Sequence, residues 1–216
     1  MLTLMTNQLI FIDGMGEKAA TYEKLADLVD YPDAKLLSYG ELCEPEQPYS
    51  IEQAALTLGD HLSAVGVTST VLVGTSIGAK IATEFAANHP QFVRGVVLVG
   101  LPANSSPDDL IKRLRSLRFV PKKLLPIPAG YDKDGFKGIL TAAHNYEAET
   151  TLPGLTMPTA VLYGVKDDAR SESIEQIVGE LEESRFATVP GGHFLASDNP
   201  SALAQEIRAM IEETGL

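Results

Sequence analysis

The residues able to do chemistry in this chain are a serine, a histidine and a pair of aspartates, each following a short apolar run. Gly74-Thr75-Ser76-Ile77-Gly78 is a G-x-S-x-G pentapeptide, set between a β-branched run ending at Val73 and a helical segment beginning at Ile77. A sharp strand-to-helix turn there would expose the Ser76 hydroxyl. Glycines flank it because a Cβ at either position would meet neighbouring backbone. The Ile77 N–H, at a helix N-terminus, would point where an oxyanion forms. A serine hydroxyl is a weak nucleophile at neutral pH and needs a base within hydrogen-bond reach, oriented in turn by an acid. His193, in Gly191-Gly192-His193-Phe194, follows the last apolar run. His61 and His89 fall on or at the end of surface helices, and His144 lies in an insertion. Asp167, in Gly164-Val165-Lys166-Asp167-Asp168, is the first choice of acid and Asp168 its rival; either carboxylate could instead cap the helix that follows.

These residues need a scaffold that delivers strand ends to one edge. The pattern predicts strands at 9–12, 34–39, 70–73, 96–99, 159–163 and 185–189. Helices are predicted at 20–29, 51–65, 77–88, 171–183 and from Pro200 onward, the last capped by Asn199. Strand-then-helix alternation implies right-handed crossovers and a mostly parallel sheet of about six strands with helices on both faces. The strands read as unbroken apolar runs, as expected when both faces are buried. The whole chain, 1–216, then forms a single domain. Residues 103–155 are too long for a simple crossover and are expected to form a helical lid. Its first helix is marked by Ser106 at the N-cap, Pro107 in the first turn and a stripe of Leu110, Ile111, Leu114 and Leu117.

With the chain order Ser76…Asp167…His193, each at a strand end, the sequence resembles the α/β-hydrolase superfamily. Ala87-Asn88-His89-Pro90, Met157-Pro158-Thr159 and Asp198-Asn199-Pro200 after Gly192-His193 are similar to it too. The resemblance implies that Ser76 is the nucleophile, His193 the general base and acid, and Asp167 the orienting acid. It also implies an oxyanion hole formed by the backbone N–H groups of Met15 and Ile77. Two departures stand out. The N-terminal hairpin usual in the family is absent, since the first strand begins around residue 8. The oxyanion loop, commonly His-Gly, reads Asp13-Gly14. A carboxylate beside an oxyanion opposes it unless turned away or paired. Asp13 is therefore expected either to bond loop backbone, with Lys80 a conceivable partner, or to take part in other chemistry.

The reading that follows is a serine hydrolase of an ester or thioester, working through an acyl-Ser76 intermediate. The alternatives are the same fold with other chemistry (carbon–carbon bond hydrolysis, perhydrolysis, elimination or cyclisation) or a non-catalytic binding protein. Asp13, Gly14, Leu114, Leu117 and Phe119 are the expected substrate-side residues, the last three within a stripe (Leu110 to Leu125) that suggests an apolar pocket beneath the lid. No cofactor and no metal are expected; the single Cys43 excludes an internal disulfide framework and a cysteine-based cluster.

The formal charge of −12 argues against general affinity for nucleic acid or anionic membrane. No apolar run is long enough to span a bilayer and the first residues do not form a signal peptide, so the expected location is cytoplasmic. The sequence sets no oligomeric state. The charge is uneven: Lys112, Arg113, Arg115, Arg118, Lys122, Lys123, Lys133 and Lys137 crowd into the lid. They form either a solvated face or a basic cover that recruits a small anionic substrate.

Overall fold

The computed structural model describes residues 6–32, 34–103 and 105–216. In chain order the elements are β1 (Thr6–Ile12), α1 (Ala19–Val29), β2 (Lys35–Leu37), α2 (Ile51–Ala64), β3 (Val67–Thr75), α3 (Ile77–Asn88), β4 (Val93–Val99) and α4 (Pro107–Leu117). They continue with α5 (Lys133–Asn145), α6 (Ala148–Thr151), β5 (Thr159–Gly164), α7 (Glu172–Glu180), β6 (Ser184–Val189), α8 (Leu195–Asp198) and α9 (Pro200–Thr214). The strands form one sheet in the order β2-β1-β3-β4-β5-β6, and every pairing is parallel. The sheet has the six strands expected.

Successive residues of each strand enter different cores, which is why the strands read as continuous apolar runs. Ile10, Leu72, Leu98 and Val161 pack beneath α2, α3 and α7. Leu9, Phe11, Val71, Val97 and Leu162 pack beneath α1 and α9. A slip of one residue in any central strand would exchange these sets between cores of different shape.

The helix starts follow side-chain chemistry. Ser50 Oγ accepts from the Gln53 N–H, Ser106 Oγ from the Asp109 N–H, and Asn199 Oδ1 from the Ala202 N–H, with Pro107 and Pro200 in the first turns of α4 and α9. Two boundaries differ from expectation for local reasons. The second strand stops at Leu37 because Ser38 and Tyr39 turn inward to bond Asp13. Helix α7 ends at Glu180, and residues 181–183, with Glu183 in the left-handed region, carry the chain into β6.

The ladder register decides where the loops meet. Ile12 pairs with Gly74, Thr75 with Val99 and Gly164 with Val189. The carboxyl ends of five strands therefore finish level. The residues just beyond them (Asp13 onward, Ser76, Gly100, Asp167 and His193) share one rim, where open α/β sheets bind ligands.

Candidate active site

The strand-to-helix turn after β3 is tight. Ser76 has φ 54° and ψ −111°, a conformation that L-residues occupy only under constraint. Its N–H donates to the Val99 carbonyl at 2.8 Å, fixing the turn to β4. A Cβ on Gly74 would collide with the Gly78 carbonyl, and one on Gly78 with the Ile12 carbonyl. Both glycines are thus required by close backbone approach. Among the described residues the Ile77 N–H, first in α3, has no acceptor, and neither has the Met15 N–H.

After β6, the His193 ring lies with Nδ1 3.0 Å from both carboxylate oxygens of Asp167. The Asp167 side chain is 1% exposed, and its Oδ1 also accepts from the Ala169 N–H at 2.9 Å. Asp168, one residue on, is exposed and makes no bond to His193. The Asp167 bond pushes the imidazole pKa above its ordinary 6.5; burial opposes this, the Asp167 and Glu17 charges add to it, and the Arg113 charge works against it. Loops hold this pair in place. Gly192 N–H donates to Asp198 Oδ2 at 2.7 Å, and a Cβ on Gly164 would collide with the Gly192 carbonyl.

Ser76, His193 and Asp167 border one cleft of about 780 Å³, together with Met15. Ser76 Oγ makes no hydrogen bond to His193 among the described residues, so the two face the same space as separate groups. The segment between β4 and β5, carrying α4, α5 and α6, closes the cleft from above through Leu110, Arg113, Leu140 and His144. Leu114, Leu117 and Phe119, expected on the substrate side, are elsewhere. Leu117 is buried in the core beneath α2 and α3, Leu114 packs against it, and Phe119 is 75% exposed with the Arg118 guanidinium over its ring. The α4 stripe is divided between core and cleft, a division set by how α4 lies on α5.

Asp13 and Gly14 follow β1 but do not border the cleft. Asp13 is turned away: Oδ1 accepts from the Tyr39 N–H at 2.8 Å and Oδ2 from the Ser38 hydroxyl at 3.1 Å. Lys80 is not its partner. Lys80 Nζ donates to the Ala143 and Tyr146 carbonyls at 2.7 and 2.8 Å, tying α3 to the C-terminal end of α5. Burial pushes this amine down to about 8.

Burial pushes Asp13 up to about 6 from an ordinary 3.8. A carboxyl whose folded value is raised stabilises the fold fully below its unfolded value, and loses that contribution as pH rises through the folded value. Wild-type Tm is expected to fall between pH 4 and 7, and Asp13→Asn to remove a part of that fall on the order of a few degrees. Parallel Tm–pH curves for the two proteins would contradict this.

Two further residues matter here. Glu17 Oε2 accepts from the Gly14 N–H at 2.9 Å and from the Tyr22 hydroxyl at 2.5 Å, and that hydroxyl lies 2.9 Å from Thr75 Oγ1. The loop after β1 is thereby tied to the strand that leads to Ser76. Glu17 Oε1 is buried with no hydrogen-bond partner, and burial raises the carboxyl's pKa. Gly100 has φ +56°, and a Cβ there would sit 3.0 Å from His193 Nδ1 and 3.1 Å from Asp167 Oδ2. The only sequence signal for Gly100 is a glycine directly after an apolar run. Glu17 has none, because its role comes from a contact with Tyr22.

A family model described as the alpha/beta hydrolase fold matches residues 44–126. An esterase from Thermogutta terrifontis superposes with a TM-score of 0.75 at 18% identity, covering 98% of this chain and 92% of its own. The enol-lactonase from Burkholderia xenovorans gives 0.80 at 16% identity, covering 96% and 92%. An E-2-(acetamidomethylene)succinate hydrolase gives 0.76 at 15%, covering 96% and 92%. With the six-stranded parallel sheet and this strand order, the chain has the α/β-hydrolase fold. Uncharacterised proteins of Mycobacterium tuberculosis and Mycobacterium bovis are 29% identical over 113 residues. That match takes in 50% of this chain and 33% of theirs, so the chain spans about a third of the curated relatives it matches.

Proposed function

We propose that this protein is a serine hydrolase that cleaves a carboxylic ester or thioester through an acyl-Ser76 intermediate. The observation that carries the reading is the left-handed Ser76 turn bordering the same cleft as a histidine whose Nδ1 is hydrogen-bonded to a buried aspartate. In this mechanism a substrate carbonyl in the cleft brings Ser76 Oγ and His193 Nε2 to bear on one proton. Oγ attacks the carbonyl carbon while Nε2 takes the hydroxyl proton. The negative charge moves to the carbonyl oxygen and is met by the unpartnered N–H groups of Met15 and Ile77. Asp167 stabilises the imidazolium, which returns the proton to the leaving alkoxide or thiolate. Water, activated by the same histidine, then releases the acid and restores Ser76.

Neighbours named as an esterase, an enol-lactonase and a succinate-derivative hydrolase support hydrolysis as the reaction class. Asp13 does not favour other chemistry, since its carboxylate is engaged by Ser38 and Tyr39 away from the cleft. Among the described residues no helix is long and apolar enough to cross a membrane.

The test is a pre-steady-state assay with p-nitrophenyl esters. The expected result is a burst of p-nitrophenol approaching one equivalent per chain, absent in Ser76→Ala. Equal turnover by Ser76→Ala would overturn the reading.

A further inference from the structure

Arg113 is the cation to follow. Eight cations crowd the segment between β4 and β5, but only Arg113 borders the cleft. Several of the others are engaged elsewhere. Lys112 pairs with Asp109, Lys137 with Asp134, and Arg118 lies over the Phe119 ring. Arg113 projects from the same face of α4 as Leu110, one turn earlier, which also borders the cleft. Among the described residues its guanidinium makes no ion pair and no hydrogen bond. Its charge is nevertheless felt at His193.

The other charged groups around the cleft are already committed or out in solvent. Lys80 holds carbonyls of the α5 end and Arg170 pairs with Glu175 at 2.7 Å; Lys166 borders the cleft and is exposed, as Arg113 is, but it is the Arg113 charge that is felt at His193. On the acidic side Asp167 faces His193, Asp109 Oδ2 accepts from the Ser106 hydroxyl at 2.7 Å while Oδ1 pairs with Lys112, and Asp168 is exposed. Arg113 is thus an unpaired planar fork on the cleft that Ser76 also borders, suited to a carboxylate that it can grip through two N–H groups.

We propose that Arg113 is a specificity-determining residue that binds a carboxylate on the substrate, so that the preferred substrate is an ester or thioester of a short dicarboxylic acid. The proposal rests on the serine-hydrolase reading for the reaction, though not for the binding. The scissile carbonyl sits at Ser76 and the far carboxylate reaches up to α4, with Leu110 and Leu140 flanking the carbon chain between them. No proton transfer or bond change at Arg113 is involved.

Two measurements test it. The first compares mono-p-nitrophenyl succinate with p-nitrophenyl butyrate, which is of similar length without the terminal charge. Arg113→Gln should lower the ratio of kcat/KM values, charged over neutral, by about tenfold, chiefly through KM for the charged ester. Arg113→Lys should recover part of the ratio, and Arg115→Gln, outside the cleft, should leave it as in wild type. An unchanged ratio in Arg113→Gln would overturn the proposal. The second measurement needs no turnover. Glutarate should raise the Tm of Ser76→Ala and fail to raise that of Ser76→Ala/Arg113→Gln. No glutarate shift in Ser76→Ala, or an equal shift in both, would overturn the proposal whether or not esters are cleaved. A glutarate shift that depends on Arg113 in a protein cleaving neither ester would instead keep the anion site and reject the hydrolase reading.

Discussion

Replacing His193 by alanine is expected to lower kcat for ester cleavage by about 10³-fold or more. In the proposed mechanism the imidazole has two tasks, taking the proton from Ser76 Oγ and returning it to the leaving group, and among the described residues no second base is placed to take them over. His144 also borders the cleft, but it comes from α5 and its Nδ1 lies 3.3 Å from Ser105 Oγ. Asp167 has no such double role, so Asp167→Asn should cost somewhat less while also shifting the pH profile. His193 must be neutral to act as base, so kcat/KM rises with pH through its pKa. Asp167 raises that pKa above 6.5, which places the acidic limb of the wild-type profile above that pH. Removing the carboxylate charge should move the limb to lower pH. Asp168→Asn should leave both rate and limb close to wild type, because Asp168 is exposed and does not reach the ring. The reverse pattern, a damaging Asp168→Asn beside a silent Asp167→Asn, would contradict the assignment of the acid.

Gly100→Ala is expected to have the second largest effect, although Gly100 contributes no side chain to the chemistry. An added methyl group would press on His193 Nδ1 and Asp167 Oδ2 together, the two atoms that define the pair. At φ +56° the alanine itself would also be strained, by about 1–2 kcal/mol. The backbone cannot easily yield, since the Gly100 N–H is bonded to the Leu162 carbonyl at 2.8 Å inside the sheet. The histidine is the part free to move, and a displacement of about 1 Å at a proton-transfer site costs on the order of 10²-fold. The loss should fall on kcat, with Tm lowered by only a few degrees. Gly215→Ala serves as the control: it has a similar φ of +62°, with open space where the Cβ would go. It should show the backbone cost without the catalytic one. Equal activity in Gly100→Ala and wild type would mean that the Asp167–His193 pair does not govern the rate.

The contrast between Ser76 and Gly100 shows what the amino-acid pattern could reveal. The G-x-S-x-G turn, the Asp167 loop and the His193 loop each announce themselves locally, because close backbone approach demands glycine and the reaction demands those side chains. The strands are equally legible, since residues buried on both faces must be apolar throughout. Gly100 and Glu17 matter through contacts with residues far along the chain, and nothing within a few positions of either records those contacts. The cover over the cleft lies between these cases. Helix α4 is evident from Ser106, Pro107 and its leucine spacing, but its rotation on the body is not. Leu110 and Leu114, one turn apart, therefore could not be divided between cleft and core, and Phe119 could not be seen to face solvent. Asp13 shows the same limit. Its departure from histidine is visible in the chain, while the Tyr39 N–H and Ser38 hydroxyl that hold it come from the far end of β2.

The central claim is that Ser76 is an activated nucleophile. A fluorophosphonate probe followed by peptide mass spectrometry reads this directly, because the probe phosphonylates a serine only where a base and an oxyanion site act together. The expected result is a single adduct on the peptide containing Ser76, formed rapidly in the wild type, slowed severely in His193→Ala and absent in Ser76→Ala. An unlabelled native protein, or equal labelling of wild type and Ser76→Ala, would contradict the account.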